Sequence, residues 1–208
     1  MTAQGQVYSW GQGEGGLLGH GNSISQPTPK KIDALDGLSI TSIVCGGLHT
    51  LAVTKQGHVY SWGRAEGGQL GLPTDQMFYD SRTNDLYLTT PKRIRGPLDG
   101  HFVIQVACGD AHSLALTNLG LVYGWGYTNY GQLGLGVSQD NYEPGVSKYN
   151  LQVPDPTLIE KLRSVKIAEI FAGSTFSLFM TDKKEVNYSL RNVMEHYSIL
   201  NNSFMGAV

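Results

Sequence analysis

The sequence predicts an all-β protein built of repeated four-stranded antiparallel units. Composition is the first sign, because 27 of the 208 residues are glycine and only 15% are charged. An average soluble domain has roughly 7% glycine and 25% charged residues, so this chain favours short strands joined by tight turns. The net charge of −2 argues against a basic nucleic-acid surface and against an acidic disordered chain.

Internal repeats are the second sign. A block of the form Gly-x-Val-Tyr-x-Trp-Gly occurs at residues 5–11, 57–63 and 120–126. Each copy is followed by a Gly-x-Leu-Gly block, at residues 16–19, 68–71 and 131–134. A third block, Cys-Gly-Gly-Leu-His-Thr at 45–50, has counterparts at 108–113 and 172–177. Independent blocks that return in one order are a stronger signal than any single motif.

Strand-length segments between the glycines are the third sign. Residues 40–45 and 103–108 are rich in β-branched side chains, and the segments that follow them alternate in size and polarity. We expect a fourth strand in each unit at the prolines, because an edge strand tolerates the missing N–H. These proline stretches are residues 29–32, 91–94 and 154–159, beginning at Pro29, Pro91 and Pro154. Four such strands repeated radially make the blades of a β-propeller.

The repeated blocks resemble those of the regulator of chromosome condensation repeat family, whose members fold as β-propellers. The resemblance covers about residues 5–182. In this family the sequence repeat is offset from the structural blade. The resemblance therefore implies a partial β-propeller with two full blades, at 40–95 and 103–159, and two half blades, at 5–32 and 166–181.

The number of blades leaves three interpretations open, because a closed propeller usually needs at least about four. The chain is a fragment of a longer propeller, or its half blades complete each other across a second chain. The third interpretation is an open arc with capped ends, against which the aggregation hazard of open sheet edges counts.

The C-terminal part departs from the repeat. The block expected after Thr181 lacks its glycine and tryptophan. Helical spacing links six apolar residues instead: Val186, Leu190, Val193, Met194, Tyr197 and Leu200. We therefore divide the chain into a repeat region, 1–182, and a tail, 183–208. The tail is either an amphipathic helix that covers an open end or a non-native segment created by truncation or a frame change.

Two insertions carry the candidate partner-binding residues. The second and third repeats are longer than the first near residues 72–90 and 135–153, and insertions in repeat proteins map to loops on one face. Aromatic side chains among few charges are typical of interface hot spots. The candidates are Met77, Phe78, Tyr79, Tyr87, Tyr142 and Tyr149. Packing of these side chains over their own blade is an equally open alternative.

Other repeated residues are interpreted as structural. We expect Trp10, Trp62 and Trp125 to be aromatic residues of the blade cores. His49 and His112 share one repeat position, which holds Phe176 in the third copy. A catalytic or metal-binding histidine would not be repeated in this way, so we expect both to bond backbone groups at blade turns. Gly46, Gly109 and Gly173 of the same blocks are also assigned structural roles.

No catalytic, cofactor-binding or metal-binding set of residues is predicted. Gly11, Gly13 and Gly16 form a G-x-G-x-x-G pattern, but a turn-rich segment follows where a nucleotide site needs a helix. Two cysteines cannot supply a four-ligand zinc site. The N-terminus lacks a signal peptide, and no apolar run suffices for a membrane span. We expect an intracellular protein, cytoplasmic or nuclear, with no direct nucleic-acid partner.

The resemblance implies three candidate functions. We favour a non-catalytic scaffold that binds a protein partner through its blade loops. The alternative is a guanine-nucleotide exchange factor or regulator of a small Ras-like GTPase, which needs a shaped surface and reveals itself in no local motif. The third is a regulatory segment of a larger protein such as a ubiquitin ligase or kinase. Self-association through the incomplete blades is a further expectation.

Overall fold

The described residues form four antiparallel sheets in succession. The computed structural model describes residues 1–2, 5–81, 83–136, 151–183 and 186–188. The first sheet has two strands, β1 (Tyr8–Gly11) and β2 (Gln26–Lys31). The second has five in the order β3-β4-β5-β7-β6, namely β3 (Ile40–Cys45), β4 (His49–Thr54), β5 (Val59–Arg64), β6 (Phe78–Asp80) and β7 (Asp85–Arg93).

The remaining two sheets repeat the same plan. The third has the order β8-β9-β10-β11, with β8 (Val103–Cys108), β9 (His112–Thr117), β10 (Val122–Tyr127) and β11 (Gln152–Leu158). The fourth contains β12 (Ile167–Ala172), β13 (Ser177–Thr181) and β14 (Val186–Tyr188). The prediction of two full blades flanked by two incomplete ones is confirmed. No helix in the described ranges is long and apolar enough to span a membrane.

The last sheet holds one strand more than the predicted half blade. β14 pairs with β13, so that Met180 lies opposite Val186 and Leu178 opposite Tyr188. The helix expected from Val186 onward does not begin there, because these residues continue the antiparallel ladder. The rest of that expected helix, from residue 189, lies outside the described residues.

The first insertion is also more ordered than the expected loop. Residues Thr74–Gln76 form a 3-10 turn, and β6 then pairs with the start of β7. The insertion therefore adds a fifth strand to the outer edge of the second sheet. The prolines of the outer strands sit within β2, β7 and β11 rather than at their first residues. β6 pairs only with residues 85–87 of β7, so Pro91, like the prolines of β2 and β11, lies where one edge needs no N–H partner.

A bulge recurs where each tryptophan block meets its outer strand. The pairing register shifts between Ser61 and Gly63, and again between Gly124 and Gly126. Gly63 and Gly126 have φ angles of +108° and +103°, a region that other residues rarely adopt. A Cβ on Gly63 would also lie 2.7 Å from the carbonyl oxygen of Leu48. The glycine that ends each block is therefore required by the backbone.

The hydrophobic core lies between neighbouring sheets. One cluster joins the first and second sheets and contains Val7, Ile32 and Trp62. A larger cluster joins the second and third sheets around Trp125, and a third cluster joins the third and fourth sheets around Ile170 and Phe179. Each sheet is thus stabilised by apolar burial against the next one.

Two tryptophans connect adjacent blades. Trp62 and Trp125 are 1% and 0% exposed. The indole N–H of Trp62 donates to the carbonyl oxygen of Leu17 at 3.0 Å, and that of Trp125 to the carbonyl oxygen of Gln69 at 2.9 Å. Both acceptors belong to the Gly-x-Leu-Gly turn of the preceding blade. The ring therefore fills the junction and satisfies its one donor there.

The expectation of a buried core residue does not hold for Trp10, which is 58% exposed. The two buried rings pack on a Gly-x-Leu-Gly turn that comes earlier in the chain. Residues 1–9 contain no such turn, so the ring of Trp10 has no junction to fill within the described structure. The repeat position alone therefore does not determine burial.

Replacing Trp62 by alanine tests the junction. We expect Trp62→Ala to lower the free energy of unfolding by about 3–5 kcal/mol, because it leaves a cavity and an unpaired carbonyl. Trp10→Ala is the matched control and should change the free energy of unfolding by no more than about 0.5 kcal/mol in dilute protein. Urea unfolding of both variants measures the difference. Equal stability of the two variants would contradict the assignment.

Candidate interaction site

The hairpin formed by β6 and β7 presents the predicted aromatic residues. Phe78 and Tyr79 are adjacent on β6 and point to opposite faces, with 56% and 61% of their surfaces exposed. Phe78 lies opposite Tyr87 on β7, and their rings stack with centroids 6.1 Å apart. The hydroxyl of Tyr79 donates to Oδ1 of Asn84 at 2.7 Å. These contacts hold both exposed rings in defined positions.

The hairpin is fastened to the body of its blade. The amide of Ala65 donates to the carbonyl oxygen of Leu86 at 2.7 Å, and the amide of Leu86 donates to a carboxylate oxygen of Glu66 at 3.3 Å. Arg64 forms an ion pair with Asp85 at 3.1 Å. Because these bonds lie at the base of the hairpin, they fix its direction relative to the blade.

Glu66 is a half-buried acid of this anchor. Burial raises the pKa of its carboxyl, while the positive charge of Arg64 opposes that shift. Nη1 of Arg64 lies 3.9 Å from Oε1 of Glu66. The positive charge of Arg64 thus lies close to the carboxylates of both Glu66 and Asp85 and balances their negative charge at the base of the hairpin.

The structure separates the six candidate partner-binding residues. Phe78 and Tyr79 are exposed, whereas Met77 and Tyr87 are half-buried, and Met77 packs against the core cluster between the second and third sheets. Tyr142 and Tyr149 lie outside the described residues. The geometry therefore brings four candidates together at one blade edge, two of them available for contact.

The two repeated histidines lie at blade junctions. His49 Nε2 is 2.7 Å from Ser113 Oγ, and Ser113 Oγ donates to the carbonyl oxygen of Gln69 at 2.8 Å. Because the serine proton is directed to that carbonyl, the imidazole must donate through Nε2–H. His49 thus bonds a serine side chain of the next blade, a partner that was not among the backbone groups expected at blade turns.

The same arrangement, in which a histidine donates to a serine that donates to a carbonyl oxygen, recurs one blade later; we call it the relay. His112 Nε2 lies 3.1 Å from Ser177 Oγ, which donates to the carbonyl oxygen of Gln132 at 2.7 Å. All four side chains of the two relays are buried. The serines were not among the predicted residues, although Thr50, Ser113 and Ser177 share one repeat position directly after the histidine or phenylalanine. That recurring hydroxyl was the available signal.

Burial keeps both histidines neutral. Loss of hydration, with a further contribution from nearby His112, lowers the pKa of His49 from 6.5 to about 3. Loss of hydration lowers the pKa of His112 to about 4, and Asp110 opposes that shift. The relay uses Nε2–H alone, and a neutral imidazole with its proton on Nε2 supplies that donor. Both histidines therefore act as hydrogen-bonding groups of the fold rather than as acids or bases near pH 7.

The glycines before the histidines permit the close approach of the inner strands. A Cβ on Gly46 would lie 2.2 Å from the carbonyl oxygen of Gly109. A Cβ on Gly109 would lie 2.1 Å from the ring of His112, and one on Gly173 would lie 2.3 Å from the ring of Phe176. The amide of Gly47 donates to Gly109 across the junction at 3.3 Å. A larger residue at Gly46 would therefore clash with the next blade, and one at Gly109 or Gly173 would clash with the ring of its own block.

The repeat signature places the chain in a known class. The regulator of chromosome condensation (RCC1) repeat matches residues 4–53, 56–116 and 120–180. A second form of the repeat matches residues 40–69 and 103–132. These matches cover most of the chain, which therefore belongs to the regulator of chromosome condensation repeat family.

Particular relatives show how widely this repeat is used. The chain is 39% identical over 183 residues to the E3 ubiquitin-protein ligase HERC2 of Homo sapiens, covering 87% of this chain and 3% of HERC2. It is 37% identical over 177 residues to the ultraviolet-B receptor UVR8 of Arabidopsis thaliana, covering 85% of this chain and 35% of UVR8.

Solved structures share the fold. Prp20p of Saccharomyces cerevisiae superimposes with a TM-score of 0.72 at 23% identity, covering 88% of this chain and 42% of that one. Human WBSCR16 superimposes with a TM-score of 0.69 at 26% identity, covering 90% and 44%. The chain thus spans less than half the length of each of these relatives and structures.

The buried histidines predict an acid-sensitive fold. Above pH 6.5 the folded and unfolded states are both neutral at these positions. Below pH 6.5 the histidines of the unfolded chain bind protons, whereas the buried histidines of the folded chain do not, so the free energy of unfolding falls. The expected slope is roughly 1.4 kcal/mol per pH unit for each histidine, down to pH about 3–4. Urea unfolding between pH 7.5 and 5 measures it.

His49→Gln provides the control, because glutamine keeps a donor and does not titrate. In this variant we expect the slope of the free energy of unfolding against pH to be smaller by about 1.4 kcal/mol per pH unit, the contribution of one histidine. An unchanged slope in His49→Gln would mean that His49 is not held neutral in the folded protein.

Proposed function

We propose that this chain is a non-catalytic scaffold that binds a protein partner through the β6–β7 hairpin. The observation that carries the proposal is the pair of exposed rings, Phe78 and Tyr79, on an anchored strand. Exposed aromatic side chains with restricted motion contribute large contact areas at low entropic cost. The stacking of Phe78 on Tyr87 and the bond from Tyr79 to Asn84 restrict them in this way.

Family relatives support a role in protein binding. Prp20p binds Gsp1p and histones, and yeast RCC1 (Prp20) has been crystallised with Kap60, a structure that resembles this chain with a TM-score of 0.67 at 26% identity. HERC2 and UVR8 carry quite different activities. Because one fold serves such varied proteins, a shared capacity to present binding surfaces is the simplest common role.

The edge position of the hairpin favours contact with a partner. Residues 78–80 form a short outermost strand, so its outer backbone edge faces away from the blade. A partner can therefore contact the aromatic rings and pair with the strand edge together, as in strand addition. The core of the blade contributes rigidity and takes no part in the contact.

The double variant Phe78→Ala/Tyr79→Ala tests the hairpin. We expect partner binding to fall at least about tenfold, because the loss of hot-spot side chains typically costs more than 1 kcal/mol each. The unfolding midpoint should stay within the range of surface substitutions. Quantitative mass spectrometry of proteins retained by immobilised wild-type and variant chains identifies the partner, and titration of that purified partner gives the affinity.

Ile24→Ala/Leu119→Ala is the matched control, since these apolar side chains are 65% and 72% exposed but lie outside the hairpin. It should bind the partner as the wild type does. Equal losses in both double variants would contradict a hairpin site. A further assay follows release of a fluorescent nucleotide from a Ras-like GTPase, where acceleration by the chain would favour the exchange-factor alternative over the scaffold.

A further inference from the structure

One end of the third sheet carries large apolar side chains where its neighbours carry polar or small ones. Phe102, Ile104 and Leu119 are 44%, 50% and 72% exposed. The residues at the same positions are Ser39, Thr41 and Gln56 in the second sheet and Lys166, Ala168 and Lys183 in the fourth. The three apolar side chains are therefore not demanded by the repeat, and together they form an exposed apolar surface of the kind that marks an interaction site.

The backbone brings these three side chains to one surface. The amide of Asn118 donates to the carbonyl oxygen of Phe102 at 2.9 Å, so the turn that bears Leu119 lies beside Phe102. Ile104 is the extra residue of a bulge in the pairing of β8 with β9, and a bulge turns such a side chain away from the sheet. We call the surface formed by Phe102, Ile104 and Leu119 the apolar patch.

Lysines of the two neighbouring sheets flank the apolar patch. A Cβ on Gly57 would lie 2.9 Å from Cγ of Phe102, so the ring packs on the turn of the second sheet that also carries Lys55. On the other side, a Cβ on Gly120 would lie 3.9 Å from Cα of Lys166 in the fourth sheet. The surface is thus apolar in the middle and basic on both sides.

Uncompensated positive charge collects at this end of the sheets. The end is formed by residues 32–39, 54–58, 94–102, 117–121, 159–166 and 181–183, which we call the turn face. Each acid of the turn face lies within 3.6 Å of a lysine or arginine nitrogen, and these acids are Asp33, Asp36, Asp99, Glu160 and Asp182. Four exposed cations of the turn face have no carboxylate partner within the described residues, namely Lys55, Arg95, Lys161 and Lys183.

The opposite end of the sheets carries the reverse charge. It is formed by residues 11–25, 46–48, 64–81, 83–87, 109–111, 127–136 and 173–176. Arg64 is its one basic residue within these ranges, against six acids: Glu14, Glu66, Asp75, Asp80, Asp85 and Asp110. An anionic surface that approaches this protein is therefore attracted to the turn face and repelled by the opposite face.

We propose that the apolar patch and its flanking lysines dock on the surface of an anionic lipid membrane. Leu119 projects from a tight turn, closed by the bond from the amide of Gly120 to the carbonyl oxygen of Thr117 at 3.0 Å. A side chain at such a tip enters the boundary between headgroups and acyl chains. Lys55 and Lys183, on the equivalent turns of the neighbouring sheets, reach the anionic headgroups.

The apolar patch favours a membrane over a nucleic acid, because a phosphate backbone offers no contact to exposed leucine or isoleucine side chains. The β6–β7 hairpin, with Phe78 and Tyr79, lies at the acidic end. Membrane docking by the turn face therefore leaves the hairpin free for the protein partner proposed above, and the two interactions are independent.

Sedimentation of the full chain with vesicles tests the proposal. The chain should bind vesicles of equal parts phosphatidylserine and phosphatidylcholine, should not bind pure phosphatidylcholine, and should bind less at high salt. Leu119→Ser should weaken binding at least about tenfold, and so should Lys55→Gln/Lys183→Gln. No binding to the anionic vesicles would overturn the proposal, as would binding of duplex DNA or a polyglutamate peptide without binding of vesicles.

Three control variants keep the surface distinct from others on the molecule. Ile24→Ala removes an apolar side chain that is 65% exposed at the opposite end, and Lys30→Gln/Lys92→Gln removes two exposed charges from the outer strands. Both should bind vesicles as the wild type does, and a loss equal to that of Leu119→Ser would overturn the assignment. Phe78→Ala/Tyr79→Ala should also leave vesicle binding unchanged, so that failure of the hairpin proposal and failure of this one are observed separately.

A dye at residue 119 tests whether the apolar patch enters the membrane. In the variant Cys45→Ser/Leu119→Cys the new thiol is the accessible one, because Cys108 is buried. A nitrobenzoxadiazole label there should brighten on the anionic vesicles and be quenched by spin-labelled lipid. The same label on Cys45→Ser/Ile24→Cys should change in neither way. Vesicle binding without brightening at residue 119 would overturn the proposed orientation.

Discussion

The fold of this protein depends on the packing of each blade against the next one. A single sheet of this chain exposes apolar side chains on its faces, and only the neighbouring sheet covers them. Burial at the junctions therefore supplies the main stabilising free energy. The tryptophan contacts at the first two junctions and the histidine–serine contacts at the last two then fix the register of neighbouring sheets.

The junction explains the glycine content of the chain. Gly19 and Gly71 leave room for an indole ring, while Gly46 and Gly109 let the inner strand ends approach each other closely. A methyl group at any of these positions would meet a neighbouring blade at 3.0 Å or less. Glycine is thus used here for close packing between units as much as for turns inside them.

Rigid junctions also bear on function. The β6–β7 hairpin is attached to a blade whose two faces are both covered, by the first and third sheets. Arg64, which holds the base of the hairpin through Asp85, also contacts Glu14 of the first sheet at 3.5 Å. A binding surface on such a support loses little entropy on contact with a partner.

Much of the fold could be predicted from the sequence, because each repeated block has one local cause. The bulge demands a glycine after the tryptophan, and the β-branched segments 40–45 and 103–108 form the inner strands. The exposure of Trp10 could not be predicted from its block, because burial depends on a turn from another unit. Likewise β6 arises from an insertion with no counterpart in the first repeat, so no repeat pattern indicated a strand.

Only part of the candidate site could be predicted, because its residues are visible in the sequence but their contacts join distant segments of the chain. Phe78 and Tyr79 stood out as aromatic residues in an insertion, while the anchoring by Arg64, Glu66 and Asp85 depends on chain segments about 20 residues apart. The histidines were identified as structural from their repetition. Their serine partners lie 64 and 65 residues away, a separation that only the folded chain reveals.

A double-mutant cycle across one junction tests whether the histidine–serine contact joins neighbouring blades. The free energies of unfolding of His49→Ala, Ser113→Ala and the combined variant are measured against the wild type near pH 7.5. Because the two side chains share one buried hydrogen bond, we expect a coupling energy of about 1–3 kcal/mol. Additive effects, with coupling below about 0.3 kcal/mol, would contradict the claim that this contact joins the blades.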